Sequence, residues 1–224
     1  MQIALIGYGK MGKLIEQIAL QKGHVITSRI TATSQITDSN LSQADVCIDF
    51  SHPHAILDNT MRVSELKKNL IVGTTGWYEH LPTVKSIVNQ ANIGFLYSPN
   101  FSIGVQLFFK IVKEAAALIS HFPEYDVGIF EAHHKAKADS PSGTAKALAD
   151  VLRTKLQRNE FNTSAMRCGS IPGTHTVMFD SLVDSICLTH QARSREGFAS
   201  GAIAAAEWLN GRKGFFTLDA MLGA

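Results

Sequence analysis

A glycine turn set between a strand and a helix near the N-terminus constrains this chain more than any other feature. Gln2 to Ile6 is a short apolar run, and Gly7-Tyr8-Gly9-Lys10-Met11-Gly12 follows it directly. Leu14, Ile15, Ile18 and Ala19 then recur at helical spacing, which gives a strand, a tight turn and a helix. In a GxGxxG turn the first glycine permits the bend, the second lets backbone approach a pyrophosphate, and the third allows close helix packing. The opening therefore predicts an α/β sheet that holds a dinucleotide through Gly7, Tyr8, Gly9, Lys10, Met11 and Gly12.

The next segments extend that sheet. A second strand is expected over His24 to Ile30, and an NAD site would place an acid near its end for the ribose hydroxyls. Ser28 and Arg29 stand there instead, so NADPH is favoured over NADH, with Arg29 and Lys10 available to a 2′-phosphate. Thr31 to Asn40 reads as a polar loop, and Val46 to Ser51 as a buried strand running into a turn. His52 and His54 have no third ligand at metal-site spacing, so no metal is expected. Helices are predicted over Ala55 to Lys68 and Tyr78 to Gln90, with strands at Leu70 to Val72 and Ile93 to Leu96. Those strands deliver Gly73-Thr74-Thr75-Gly76 and Ser98-Pro99-Asn100-Phe101-Ser102, small polar loops of the kind that an open α/β sheet presents to its ligand.

The chemistry is concentrated further on. Glu131 to Ala145 holds His133, His134, Lys135 and Lys137, then Pro141-Ser142-Gly143-Thr144 ahead of a helix marked by Leu148, Val151, Leu152 and Leu156. The first amides of a helix lack partners and its dipole favours anions, so Ser142, Gly143 and Thr144 are suited to a carboxylate or phosphate. Lys137 and His134 add positive charge, and His133 or Lys137 is placed to supply a proton. The bland alternative is a serine-capped helix with solvated His and Lys.

The run Glu-Ala-His-His-x-x-Lys-x-Asp-x-Pro-Ser-Gly-Thr-Ala at 131–145 resembles the signature of the dihydrodipicolinate reductase family of lysine and diaminopimelate biosynthesis. Resemblance continues through Asp49-Phe50-Ser51, Gly73 to Gly76, Asn100-Phe101-Ser102, Gly173 to Phe179, Leu188 to Ala192 and Arg193 to Gly201. The family's glycine loop is one residue longer, with Arg where Lys10 stands. The resemblance implies a Rossmann-like dinucleotide-binding domain, roughly 1–100 plus 195–224, and an α+β substrate and oligomerisation domain with a mixed sheet, 101–194. It also implies reduction of a cyclic imine dicarboxylate by NAD(P)H, with Gly73, Thr74, Thr75, Ser98, Pro99, Asn100 and Phe101 at the cofactor. His133 and Lys137 would be catalytic, with His134, Ser142, Gly143 and Thr144 on the substrate, in a homotetramer formed through the second domain's sheet.

The remaining numbers agree with that picture. A chain of 224 residues, 45% hydrophobic, can bury one large core or two small ones. A net charge of +2 gives no strong field for nucleic acid or an anionic membrane. No apolar run approaches the roughly 18 residues of a membrane span, and no secretory leader pattern is seen at Met1, so a soluble, unprocessed cytoplasmic protein is expected. Cys47, Cys168 and Cys187 form neither a disulfide framework nor a zinc motif. Two other readings stay open on sequence alone: another two-domain NAD(P)-dependent amino-acid or imine dehydrogenase, and a non-catalytic dinucleotide sensor.

Overall fold

Strands that are apolar along their whole length need cover on both faces, and helices supply it here. From the N-terminus the chain forms β1 (Gln2–Ile6), α1 (Lys10–Gln21), β2 (Val25–Ile30), α2 (Asp38–Leu41), β3 (Val46–Asp49), α3 (Ile56–Glu65), β4 (Asn69–Val72), α4 (Leu81–Ala91) and β5 (Gly94–Tyr97). It continues through α5 (Ile103–Ile119), β6 (Asp126–His133), α6 (Gly143–Leu156), β7 (Asn162–Arg167), β8 (Thr174–Asp180) and β9 (Ser185–Gln191). The last elements are α7 (Glu196–Leu209), β10 (Gly214–Thr217) and α8 (Leu218–Met221). The computed structural model describes residues 1–158 and 161–223. Two units result, Met1–Ser102 with Glu196–Ala224 and Ile103–Arg195.

The first unit holds a six-stranded parallel sheet in the order β10-β5-β4-β3-β1-β2. Alternation sends Ile3 and Leu5 of β1 into a core with α1 and α7, while Ala4 and Ile6 join α3 and α4 on the other face. The long third side of that first core is built from Ala199, Ala202, Ala205 and Ala206, all buried, so α7 packs closely on α1 and the sheet. β1 leads to a helix on one face and β3 to a helix on the other, and such a reversal opens a crevice at the carboxyl ends of the strands.

In the second unit β6 pairs in parallel with β7 and antiparallel with β8, which pairs antiparallel with β9. One face of this mixed sheet is covered by α5 and α6, through Phe108, Val112, Ala116, Leu148 and Leu152 against Val127, Ile129, Val177 and Phe179. The same inward rows continue into Glu131 and His133 on β6 and His175 on β8, all buried, with Arg167 paired opposite His133. The inner face thus turns from apolar to polar along its length. The opposite face leaves Phe130, Met166 and Met178 exposed.

Several boundaries differ from the sequence reading for local reasons. The expected polar loop over Thr31 to Asn40 runs into α2, because Thr37 and Asn40 form a capping box. Single 3-10 turns at Pro53–Ala55 and Tyr78–His80 precede α3 and α4, which therefore start later than predicted. α7 starts at Glu196 rather than Ser200, and the apolar tail resolves into β10, paired with β5, and α8. No helix of the described residues is long and apolar enough to cross a membrane.

Candidate functional site

The glycine turn bends as its sequence requires. Gly7 has φ +87°, and a Cβ there would lie 2.4 Å from the Phe50 carbonyl oxygen; a Cβ on Gly12 would lie 2.4 Å from the Gly7 oxygen. Gly9 is different, since nothing lies within 4 Å of a Cβ placed on it. Gly9 is the N-cap of α1 and makes no side-chain cap hydrogen bond, so this helix end keeps its anion-favouring dipole beside an open backbone position. Beside it lies a cavity of about 900 Å³ in the first unit, bounded by Gly7, Tyr8, Gly9, Thr31, His52 and Arg62 among others. Size, open glycine backbone and helix N-terminus together fit a nucleotide with its phosphates at Gly9. Phe50, His52, His54 and Arg62 were not foreseen. The signal was available: they follow the end of β3, next to the strand-order reversal.

Other expected cofactor residues are placed less directly. Lys10 is exposed and Met11 half-buried at the start of α1. Thr74 is buried with its hydroxyl donating to Asp49 at 3.3 Å, while Thr75 and Pro99 are exposed and Gly73 is half-buried. Ser98 donates to the Asn100 carbonyl at 2.8 Å, and Phe101 is buried in the core with its ring 6.0 Å from Phe50. Asn100 accepts from the Ser102 amide at 2.8 Å, which fixes the loop.

Arg29 requires a correction. The sequence reading left it available to a 2′-phosphate, but its guanidinium is bound by the Glu16 carboxylate, with Nε at 3.0 Å from Oε1. The Tyr8 hydroxyl donates to the same carboxylate, and Arg29 lies 5.9 Å from the centre of the Tyr8 ring. Arg29 chiefly holds the Glu16 carboxyl below the usual range, and Glu16 raises Tyr8. An acid is therefore present after all, supplied by α1 and not by β2.

In the second unit, strand parity sorts the double histidine. His133 points inward and is buried; His134, one residue on, is half-exposed. His133 Nδ1 lies 2.8 Å from Oε2 of Glu131, and the His133 and His175 rings meet edge to face at 5.1 Å. Arg167 Nη2 donates to Glu131 Oε1 at 2.7 Å and to the Asp139 carbonyl at 2.6 Å, tying the 134–141 loop to the sheet. Lys137 pairs with the Asp139 carboxylate at 2.7 Å.

Ser142 is also corrected. It is buried and turned inward, its amide donating to Glu131 Oε1 at 2.9 Å and its Oγ accepting from the Ala145 amide at 3.1 Å, while Oγ meets His175 Nε2 at 3.1 Å. It caps α6 and leaves the outward positions to exposed Gly143, with nothing within 4 Å of a Cβ there, and half-exposed Thr144. Lys137 first, and the Gly143 amide with it, hold the Asp139 carboxyl below its usual range. Asp139 thus rests on the groups expected to take a substrate carboxylate.

Burial opposes ionisation of Glu131, but the Ser142 and Arg167 hydrogen bonds outweigh it and hold the carboxyl below its usual range. Burial pulls His133 down, Lys137 and Arg167 pull the same way, and Glu131 opposes them. His175 falls further, to about 4, chiefly through burial and then the His133 charge. Among the described residues, Glu131, His133 and His175 offer ligand atoms within 4.8 Å of one another, a cluster the sequence reading did not anticipate. Arg167 already neutralises that carboxylate, so the group is better suited to controlling a proton than to holding a cation.

Comparison with known proteins decides the family. The description "Dihydrodipicolinate reductase, N-terminus" matches residues 1–101, and "Dihydrodipicolinate reductase, C-terminus" matches residues 104–222. The chain belongs to the dihydrodipicolinate reductase family. A 4-hydroxy-tetrahydrodipicolinate reductase of Christiangramia forsetii is 38% identical over 233 residues, covering 99% of this chain and 98% of the relative. One from Staphylococcus aureus is 36% identical over 244 residues, covering 98% and 99%. The fold matches the dipicolinate-bound dihydrodipicolinate reductase from Paenisporosarcina sp. TG-14 with a TM-score of 0.82 over 98% of each chain, at 21% identity.

Two expected results arise from these geometries in this family member. Glu16→Gln weakens the hold on Arg29, so the ratio of NADPH to NADH efficiency, from kcat/KM with each cofactor, is expected to rise about three- to tenfold. An unchanged ratio would show that Arg29 does not meet the 2′-phosphate. His175, at 6.5 unfolded and about 4 folded, binds a proton in the unfolded chain that it refuses in the fold. Its contribution is present above pH 6.5 and is lost as pH falls toward 4, by at most about 3 kcal/mol. Urea midpoints of wild type and His175→Gln at pH 7 and pH 4.5 test this, with a flatter response expected for the variant.

Proposed function

We propose that this chain reduces 4-hydroxy-tetrahydrodipicolinate to tetrahydrodipicolinate in the diaminopimelate and lysine route, using NADPH or NADH. The observation that carries the reading is the cluster of buried Glu131, His133 and His175 with half-buried Arg167, beside Lys137 and the outward N-terminus of α6. A dicarboxylate needs cations and helix-end amides, and a reduced imine needs a proton; the second unit offers both in one loop once Asp139 gives up its place to the substrate.

Loss of the 4-hydroxyl as water gives a conjugated cyclic imine, and a nicotinamide cofactor held at Gly7, Gly9 and the cavity of the first unit would supply the hydride that reduces it. His134, Gly143 and Thr144 hold the substrate carboxylates, with Ser142 keeping the helix end in place. Lys137 leaves Asp139 for the substrate and stabilises negative charge developing on its nitrogen. His133, kept low by burial and by its cationic neighbours, gains proton affinity when the dianion arrives and serves as the acid with Lys137.

The first unit is read as the cofactor domain and the second as the substrate and subunit domain of a cytoplasmic homotetramer. Support for the assembly is the outer sheet face, where Phe130, Met166 and Met178 stand 37%, 47% and 43% exposed. Light scattering on a sizing column is expected to give four chains per particle, and Met178→Glu to lower that number.

The direct test is loss of nicotinamide absorbance on mixing the protein with NADPH, then NADH, and freshly generated 4-hydroxy-tetrahydrodipicolinate. Rapid oxidation is expected. Nucleotide binding without oxidation would sink the reductase reading and leave a dinucleotide sensor or another substrate.

A further inference from the structure

Glu131 is wholly buried, yet it is the residue on which the polar end of the second sheet converges. Its Oε1 accepts from the Ser142 amide at 2.9 Å and from Arg167 at 2.7 Å. Its Oε2 lies 2.8 Å from His133 Nδ1 and 3.8 Å from His175 Nε2. One carboxylate therefore joins the N-cap of α6, β7 and β8 to the imidazole at the end of its own strand. A buried charge costs several kcal/mol unless paired and hydrogen-bonded, so a wholly apolar residue would be the cheaper filler at this inward position.

We infer that Glu131 is the positioning residue for His133: it holds Nδ1, leaves Nε2 as the atom that exchanges a proton with the substrate, and couples that imidazole to the cap of α6. The identity of the proton acceptor rests on the reductase reading, but the arrangement of the imidazole does not. The contact at Nδ1 is close without being aligned, since Oε2, His133 Nδ1 and His175 Nδ1 are left without a well-directed hydrogen bond. A small turn of the ring brings the bond into line as the proton moves. Gly173 keeps Nε2 accessible, because a Cβ at that residue would lie 3.1 Å from it.

Charge completes the case. His133 is faced by Lys137 and Asp139 from the loop, Arg167 from β7 and His175 from β8, with His190 of β9 acting on His175. Burial and the two cations oppose protonation of His133, and Glu131 is the strongest group favouring it. Without that carboxylate the imidazole would stay neutral when a proton is needed.

Glu131→Gln in the full chain removes the charge at constant volume; its oxygen can still accept from Ser142 and Arg167, while its amide nitrogen replaces the acceptor facing His133 Nδ1. Histidine ¹⁵N resonances, with His133 assigned through His133→Asn, give the tautomer and titration in the free protein. The Nδ1–H tautomer is expected for neutral His133 in wild type. In Glu131→Gln its midpoint is expected to fall by about one pH unit, and kcat about ten- to a hundredfold with KM for NADPH within about twofold. Glu131→Asp is expected to recover most of the midpoint. An Nε2–H tautomer in wild type, or a His133 titration unmoved by Gln, would overturn the inference, even if kcat fell. Should Glu131→Gln fail to fold, the wild-type tautomer decides alone. Absence of turnover in wild type would instead strike the reductase reading and leave these resonances to be read independently.

Discussion

Lys137→Ala is expected to lower kcat about a hundred- to a thousandfold while leaving NADPH dissociation within about twofold. The ammonium serves no part of the sheet core: its side chain is 24% exposed and its resolved partner is the Asp139 carboxylate at 2.7 Å. The cavity beside Gly9 belongs wholly to the first unit, whereas Lys137 belongs to the second. Truncation thus removes charge from the 134–141 loop and leaves the glycine turn untouched. Steady-state rates and nucleotide fluorescence titration on the same preparation separate the two effects. Equal losses of turnover and cofactor affinity would count against Lys137 as a group acting in the chemical step. Lys137→Arg makes a useful comparison, since it keeps the charge but changes its shape.

The second large effect concerns the turn at Gly7. Gly7→Ala is expected to cost about 3 kcal/mol or more and to weaken nucleotide binding over a hundredfold. A side chain at φ +87° is strained in itself, and the atoms it meets are Phe50 O at 2.4 Å and Ser51 N at 2.7 Å. Both are backbone at the end of β3, fixed by the β1–β3 ladder, so neither can turn aside as a side chain would. Gly9→Ala provides the contrast. Its backbone has φ −85° and its Cβ position is open, so stability is expected to change by less than about 1 kcal/mol while nucleotide affinity falls at least tenfold. Thermal unfolding and nucleotide titration of the two variants distinguish a glycine needed by the fold from one needed by the ligand. Retained affinity in Gly9→Ala would remove the phosphates from that helix end.

Much of this was readable in one dimension because the interactions are local. Periodicity marked α1 and α6, continuous apolar runs marked the parallel strands, and the glycines announced the β1–α1 turn. The run from Glu131 to Ala145 carried the family with it. Parity along β6 could have separated His133 from His134, since Val127, Ile129, Glu131 and His133 fall on one face.

Partners from distant segments were not readable. Glu16 comes from the second turn of a helix to take Arg29, thirteen residues on, and so changes what a strand-end arginine can do. Ser142 looked like a ligand for substrate because nothing in its neighbourhood shows that its amide goes to Glu131 and its hydroxyl faces His175. Arg167 and His175, from β7 and β8, become part of the candidate site only when the mixed sheet sets them beside β6. The sequence by itself determined the fold class, the family and the segments that bear the chemistry, since these depend on spacing within a few turns or strands. Tertiary structure alone decided which charges are paired, which polar groups are buried and which amides stay open, because Coulomb and hydrogen-bond energies depend on distances of a few ångströms between residues far apart in the chain.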